Sequence, residues 1–302
     1  RGIGNPRFSS AVNTYNSNSL TSYLIIEGIN AYKLYVSGAS EANHLSFRNN
    51  EVSGDVHGGG MSVGGYGSNN IIHNNILFWN NTIHDGGNIS SPLDEDIMGA
   101  TIGRSSNIWL VDNEIFNFSG SGLLVGGQYN GNIDTAKYAY VGRNHVYHTR
   151  QAGLAAKQSR DVIFSENRIH DIISNPISAG GSPSKCIGFQ YGQERFWIIN
   201  NDLSDCAYGI RSGSSDNNVG IGKYTYILGN LIHNLDKKDQ LFSTGIASND
   251  GYDTRVIQFN TIYGVDRGIA NDYYTTRLSM ANNIIANVTN NHINFSIGYL
   301  TR

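Results

Sequence analysis

The sequence predicts an all-β chain wound into about ten stacked parallel coils, a β-solenoid, and three observations carry that prediction. The motif Asn-x-Val/Ile/Leu recurs nine times, opening at Asn50, Asn81, Asn113, Asn144, Asn167, Asn201, Asn230, Asn260 and Asn283. Successive asparagines stand 31, 32, 31, 23, 34, 29, 30 and 23 residues apart, so the shortest unit is 23 residues and the longer ones carry insertions. The composition, with Gly 36, Tyr 18 and only Pro 4 in 302 residues, suits many short strands joined by tight turns, and no run of helical period competes with them.

Each repeat yields two strand columns. Alternating apolar residues precede the asparagine, as in Ile108-Trp109-Leu110-Val111 and Phe196-Trp197-Ile198-Ile199, which is the period-2 mark of a half-buried strand. Further upstream a second strand opens on glycine, at Gly99, Gly122, Gly153, Gly188, Gly209, Gly245 and Gly268. Residues 23–29 and 44–50 read as the first strand in the earliest coils, and residues 291–295 as the last coil.

A stacked asparagine can bond both its own turn and the neighbouring coil while tolerating left-handed geometry, so that column predicts a ladder rather than chemistry. Three residues further on, His84, Phe116, Tyr147, His170, Ser204, His233 and Tyr263 predict a stack of flat rings. One domain is expected over residues 1–302, with its N-terminal cap missing or reduced, because solenoid ends leave strand edges to be covered. Cys186 and Cys206 fall in adjacent coils, one residue apart in register, and read equally as a disulfide or as a pair of buried thiols.

A net charge of −3 gives no global attraction for polyanions, so nucleic acid is not an expected partner and an acidic ligand would need a local basic cluster. No stretch of about 18 apolar residues occurs, so no membrane span is expected. The chain starts at Arg1 rather than Met, as though upstream sequence had been removed, and a secreted or periplasmic monomer is the expectation.

The insertions flank the glycine column. Between glycine and asparagine they fall around residues 128–134 and 214–219; between asparagine and the next glycine they fall at 86–97, 172–186 and 235–242. Loops rising on both edges make that sheet the floor of a trough, and insertions on one face of a repeat array mark its binding face. Counting two and four residues past each glycine gives the outward set: Thr101, Leu124, Ala155, Gln190 and Arg211, then Gly103, Gly126, Lys157, Gly192, Gly213, Asn249 and Asp272. Lys157, one of seven lysines in the chain, therefore stands among glycines. Arg150, Lys185, Arg195 and Arg211 gather around it in a chain that is otherwise slightly acidic.

A repeated parallel coil with an asparagine ladder and an edge-walled sheet resembles the right-handed parallel β-helix superfamily of pectate lyases, polygalacturonases, chondroitinase B and alginate lyases, over about residues 23 to 295. The polygalacturonase motifs Asn-Thr-Asp, Asp-Asp, Gly-His-Gly and Arg-Ile-Lys are absent. Lys157-Gln158-Ser159, in a coil ending at Asn167, is similar to the Lys-Ser of chondroitinase B and its alginate lyase relatives, with one residue inserted. Those relatives carry an arginine on the next coil where this chain has Tyr191, with Arg195 and Arg211 nearby.

The resemblance implies a polysaccharide lyase that cleaves a uronic-acid polymer, alginate favoured, by β-elimination. Such chemistry needs the uronate carboxylate neutralised, a base for the C5 proton and an acid for the leaving oxygen. Lys157 is assigned as the base, with Arg211 beside it, and Tyr129 or Tyr191 as the acid. Gln190, Arg150, Arg195, Lys185, Asp96, Gln128 and Glu194 are assigned to substrate binding. No cofactor is expected; the acidic run Asp94-Glu95-Asp96 is the one place suited to calcium. Two other readings stay open: a glycoside hydrolase pairing Asp94 or Asp96 with Glu194 across the trough, and a non-catalytic carbohydrate-binding solenoid.

Overall fold

The structure is a computed structural model that describes residues 7–8, 12–13, 21–36, 41–55, 59–64, 73–127, 136–175, 182–213, 223–238, 240–248, 252–271 and 275–295. All of its strand pairings are parallel, and each joins a strand to its counterpart in the coil before or after. Among the described residues no helix is long and apolar enough to cross a membrane.

Asparagine fixes each coil to the next. Asn144 is buried; its Nδ2 donates to the Leu110 carbonyl at 2.9 Å and to Asn167 Oδ1 at 3.0 Å, and its main-chain N–H donates to that same oxygen at 3.0 Å. The arrangement repeats from Asn50 through Asn81, Asn113, Asn144, Asn167, Asn201, Asn230 and Asn260 to Asn283. From Asn50 to Asn260 each ladder side chain thus meets its polar groups with a main-chain carbonyl of the preceding coil and with the next asparagine, which is what burial of an amide requires. The left-handed turn expected of the ladder residues falls instead on the residue before them, even where that residue is Arg143 (φ 55°), Glu166 (φ 59°) or Phe259 (φ 60°).

Three strand columns make up a coil, not two. Before the asparagine runs a 10-stranded sheet, from Thr21–Glu27 to Thr275–Ala281. After it comes a short strand, such as Glu51–Ser53 or His145–Arg150, and then the glycine strand, such as Leu123–Gly126, Ala152–Lys157 or Lys185–Gln190. The middle column escapes pattern reading because a strand such as Glu51–Ser53 turns a single residue, Val52, to the core, and one inward residue cannot display alternation. Its outer face carries the expected rings: His84, Phe116, Tyr147 and His170 stack at centroid distances of 5.2, 5.0 and 5.4 Å, within 9° of parallel.

Glycine opens the third column for a steric reason. A Cβ on Gly153 would sit 2.3 Å from Ile169 Cγ2 and 2.9 Å from the Cys186 carbonyl oxygen, and Gly122, Gly209 and Gly245 face the same pair of obstacles in their own coils. The Cys186 coil departs from the expected register. Leu154 pairs with Ile187 and Ile187 with Ile210, so Cys186, not Gly188, occupies the glycine position there. Its side chain is accommodated by a disulfide to Cys206 in the next coil, with a Cα–Cα distance of 5.9 Å.

Candidate active-site groove

The corrected register redraws the floor. One outward row runs Leu124, Ala155, Gly188, Arg211 and Ala247; a second pairs Gly126, Lys157 and Gln190; a third pairs Ala152, Lys185, Tyr208 and Thr244. Gly188 therefore lies at the centre, with Lys157, Lys185 and Arg211 on three sides. Leu124, Ala152 and Ala155 pack beneath Met98 as a small apolar platform separate from the main core. A hollow lined by Gln151, Lys157, Ser182, Lys185, Gln190 and Arg211 opens over this platform.

Lys185 is the unusual group here. Only 8% of it is exposed, and its Nζ donates to Ser182 Oγ at 2.9 Å. Its chain lies over Gly188, where an added Cβ would stand 3.1 Å from Lys185 Cδ. Burial, and after it the nearby charges of Arg211 and Lys157, lower its pKa from 10.5 to about 7 against an opposing pull from Asp96. An amine poised near neutrality can carry a proton in either direction at little cost. Arg211 lies 4.5 Å over the Tyr208 ring, which holds it in place with a π-face.

The rim is built on Arg150. Its fully buried guanidinium donates to the carbonyls of Ser91 (3.1 Å) and Leu93 (2.9 Å) and to Asn175 Oδ1 (3.0 Å). Its expected contact with substrate is therefore corrected: it anchors the wall loop of residues 86–97. Gln151 Nε2 donates to Asp94 Oδ1 at 2.8 Å and Asp96 Oδ1 at 2.7 Å, which sets Asp96 at the edge of the hollow. Glu95 turns the other way, held below the usual carboxylate range by the Asn88 amide and the Ser91 hydroxyl. The acidic run is thereby split, and among the described residues no group of three or more His, Cys, Asp or Glu side chains is placed to hold a metal ion.

Two further expectations fall away from the floor. Arg195 belongs to the sheet before the asparagines, in Glu194–Ile199. Its Nε and Nη2 grip Asp161 at 2.6 and 2.7 Å and its Nη1 takes Glu194 at 2.7 Å. Both Arg195 and Glu194 are spent on that ion pair, so neither lines the hollow, and Glu194 is not the partner carboxylate that a hydrolase needs. Tyr191 sits half-buried at the turn after Gln190, with φ 63°. Gln128 and Tyr129 lie outside the described residues, as does the insertion at 214–219. Reading the sequence alone missed Gln151, Ser182 and Met98; nothing in their local sequence distinguishes them from ordinary turn residues.

No family model matches the chain, and no curated protein matches it. Among solved structures it is similar to the A-module of a mannuronan C-5 epimerase from Azotobacter vinelandii, at 13% identity and a TM-score of 0.44, over 96% of this chain and 90% of that one. It is also similar to an alginate lyase from Paenibacillus sp., at 12% identity and a TM-score of 0.44 over 94% and 92% of the two chains. A surface protein and adhesin of Streptococcus pneumoniae is similar at 9% identity and a TM-score of 0.31, over 94% and 91%. At these identities the likeness is one of fold alone.

Proposed function

We propose that the chain is a secreted polysaccharide lyase, acting as a monomer, that cleaves a uronic-acid polymer by β-elimination in the groove above Gly188, with alginate the favoured substrate. The observation that carries the reading is the convergence of Lys157, Lys185 and Arg211 on a glycine-cleared floor, one of the three being a buried amine near neutrality. Arg211 and Lys157 draw in the uronate carboxylate and spread the charge that develops when C5 loses its proton. Gln190, in register beside Lys157, adds an amide hydrogen bond. The base sits better at Lys185 than at Lys157, since its neutral form is favoured by burial. As the amine takes the C5 proton, the electrons of that bond form the C4–C5 double bond and the C4–O bond breaks. Tyr191 hands its proton to the departing oxygen. The Cys186–Cys206 disulfide supports an oxidising compartment.

Incubation with alginate, pectate, chondroitin and heparin, followed by the absorbance of the unsaturated uronate, tests the proposal. Product from one of them, lost in Lys185→Met, is expected. No product from any uronan, together with unaltered glycan binding in Lys185→Met and Lys157→Ala, returns the chain to the class of binding solenoids.

A further inference from the structure

We propose that the groove holds a second anionic subsite at Arg267, so that the chain grips a polyuronate along the solenoid axis at two places; this rests on the reading of the same groove as a uronate site. The floor row that contains Lys185 continues in register through Tyr208 and Thr244 to Arg267. At about 4.8 Å between paired strands, three such steps carry Arg267 about 14 Å from Lys185 and two steps place it about 10 Å beyond the coil of Arg211.

Arg267 is held by a ring, as Arg211 is. Its guanidinium lies 3.8 Å over Phe242, at the end of the third wall insertion. Its Nε is buried without a hydrogen-bond partner, and among the described residues no carboxylate pairs with it. Asp266 next to it is already committed, accepting from the Ser243 amide at 2.9 Å and from Thr289 Oγ1 at 2.5 Å. Between Arg211 and Arg267 the row positions are held by small, buried side chains, Thr244 and Ala247. A guanidinium that no described carboxylate holds, with one face covered by a ring, is suited to a carboxylate. A 1,4-linked pyranose chain advances by about one coil per sugar, so a uronate three sugars beyond the one over Gly188, or two beyond the coil of Arg211, falls on Arg267. The substrate class is thereby narrowed to polymers with acid groups on more than one sugar in the bound stretch.

Calorimetric titration with oligouronates of two, four and six sugars tests this on the whole chain. Affinity is expected to rise about three- to fivefold from two to six sugars, the yield of one partly exposed ion pair. Arg267→Gln should remove that gain, and Arg267→Lys, which keeps the charge, should retain most of it. Long oligomers that bind and respond to Arg267→Gln without ever being cleaved uphold the subsite and remove the lyase chemistry. Cleavage accompanied by affinity that is flat with length, or indifferent to Arg267→Gln, overturns the subsite and leaves the lyase. Failure to bind any oligomer overturns it as well.

Discussion

Replacing Lys185 by Met should make the protein more stable and inactive at once. At about 1.4 kcal/mol for each factor of ten in protonation, holding the amine at about 7 instead of 10.5 penalises the buried ammonium by about 5 kcal/mol. The sign follows from proton counting. Between pH 7 and 10.5 the unfolded chain keeps this proton and the native one has released it, so native stability rises with pH across that window and is lowest at and below about pH 7. Methionine fills a similar volume without the charge. Urea melts at about pH 6, 8 and 10 should therefore show Lys185→Met ahead of the wild type by up to about 5 kcal/mol at the lowest pH, with the lead shrinking as the pH rises. In the uronan assay the wild-type rate should climb about tenfold per pH unit up to about pH 7 and then level, while Lys185→Met loses a factor of about 100 or more. A stability difference that does not change with pH would falsify the burial argument. A pH–rate profile flattened by Lys157→Ala but not by Lys185→Met would return the base to Lys157.

Glycines on the same sheet should respond in opposite ways. Gly153→Ala drives a methyl against Ile169 and the Cys186 backbone and should lower stability by about 2–3 kcal/mol, read by denaturant melts. Gly188→Ala meets the Lys185 side chain at 3.1 Å and Ala152 Cβ at an ordinary 3.7 Å, with no backbone among its near contacts, so it should fold normally and reduce turnover by intruding on the hollow. Asn144→Ala strands the donors of Asn113 and the Leu110 carbonyl and should cost about 3 kcal/mol; a melt within about 0.5 kcal/mol of wild type would contradict the ladder's role. Arg150→Met should free the wall loop from its carbonyl contacts, which limited proteolysis between residues 86 and 97 would register as faster cleavage.

The coil and its ladder could be read from sequence because each is a repeated solution to one local problem: nine asparagines meet the same buried polar demand in nine turns. The ring stack and the outward position of Lys157 followed from the same register. What escaped was whatever broke the repeat. Cys186 took the glycine position, and the conspicuous Gly188 two residues on drew the alignment to itself. Arg150 and Arg195 look like Lys157 and Arg211 in a charge count, yet one is buried under a loop and the other is bound to Asp161 on another sheet. Lys185 differs from an ordinary surface lysine through its burial, which the pattern of its strand does not display.

The asparagine ladder also has a polarity. In each step the earlier coil supplies both hydrogens, from its main chain and its amide, and the later coil supplies the single oxygen that takes them. A stack interrupted at any turn therefore ends in two stranded donors, and what relieves them is the next stretch of chain toward the C-terminus. For a polypeptide delivered from its N-terminus, order of arrival and order of satisfaction coincide: each new turn completes the one already in place.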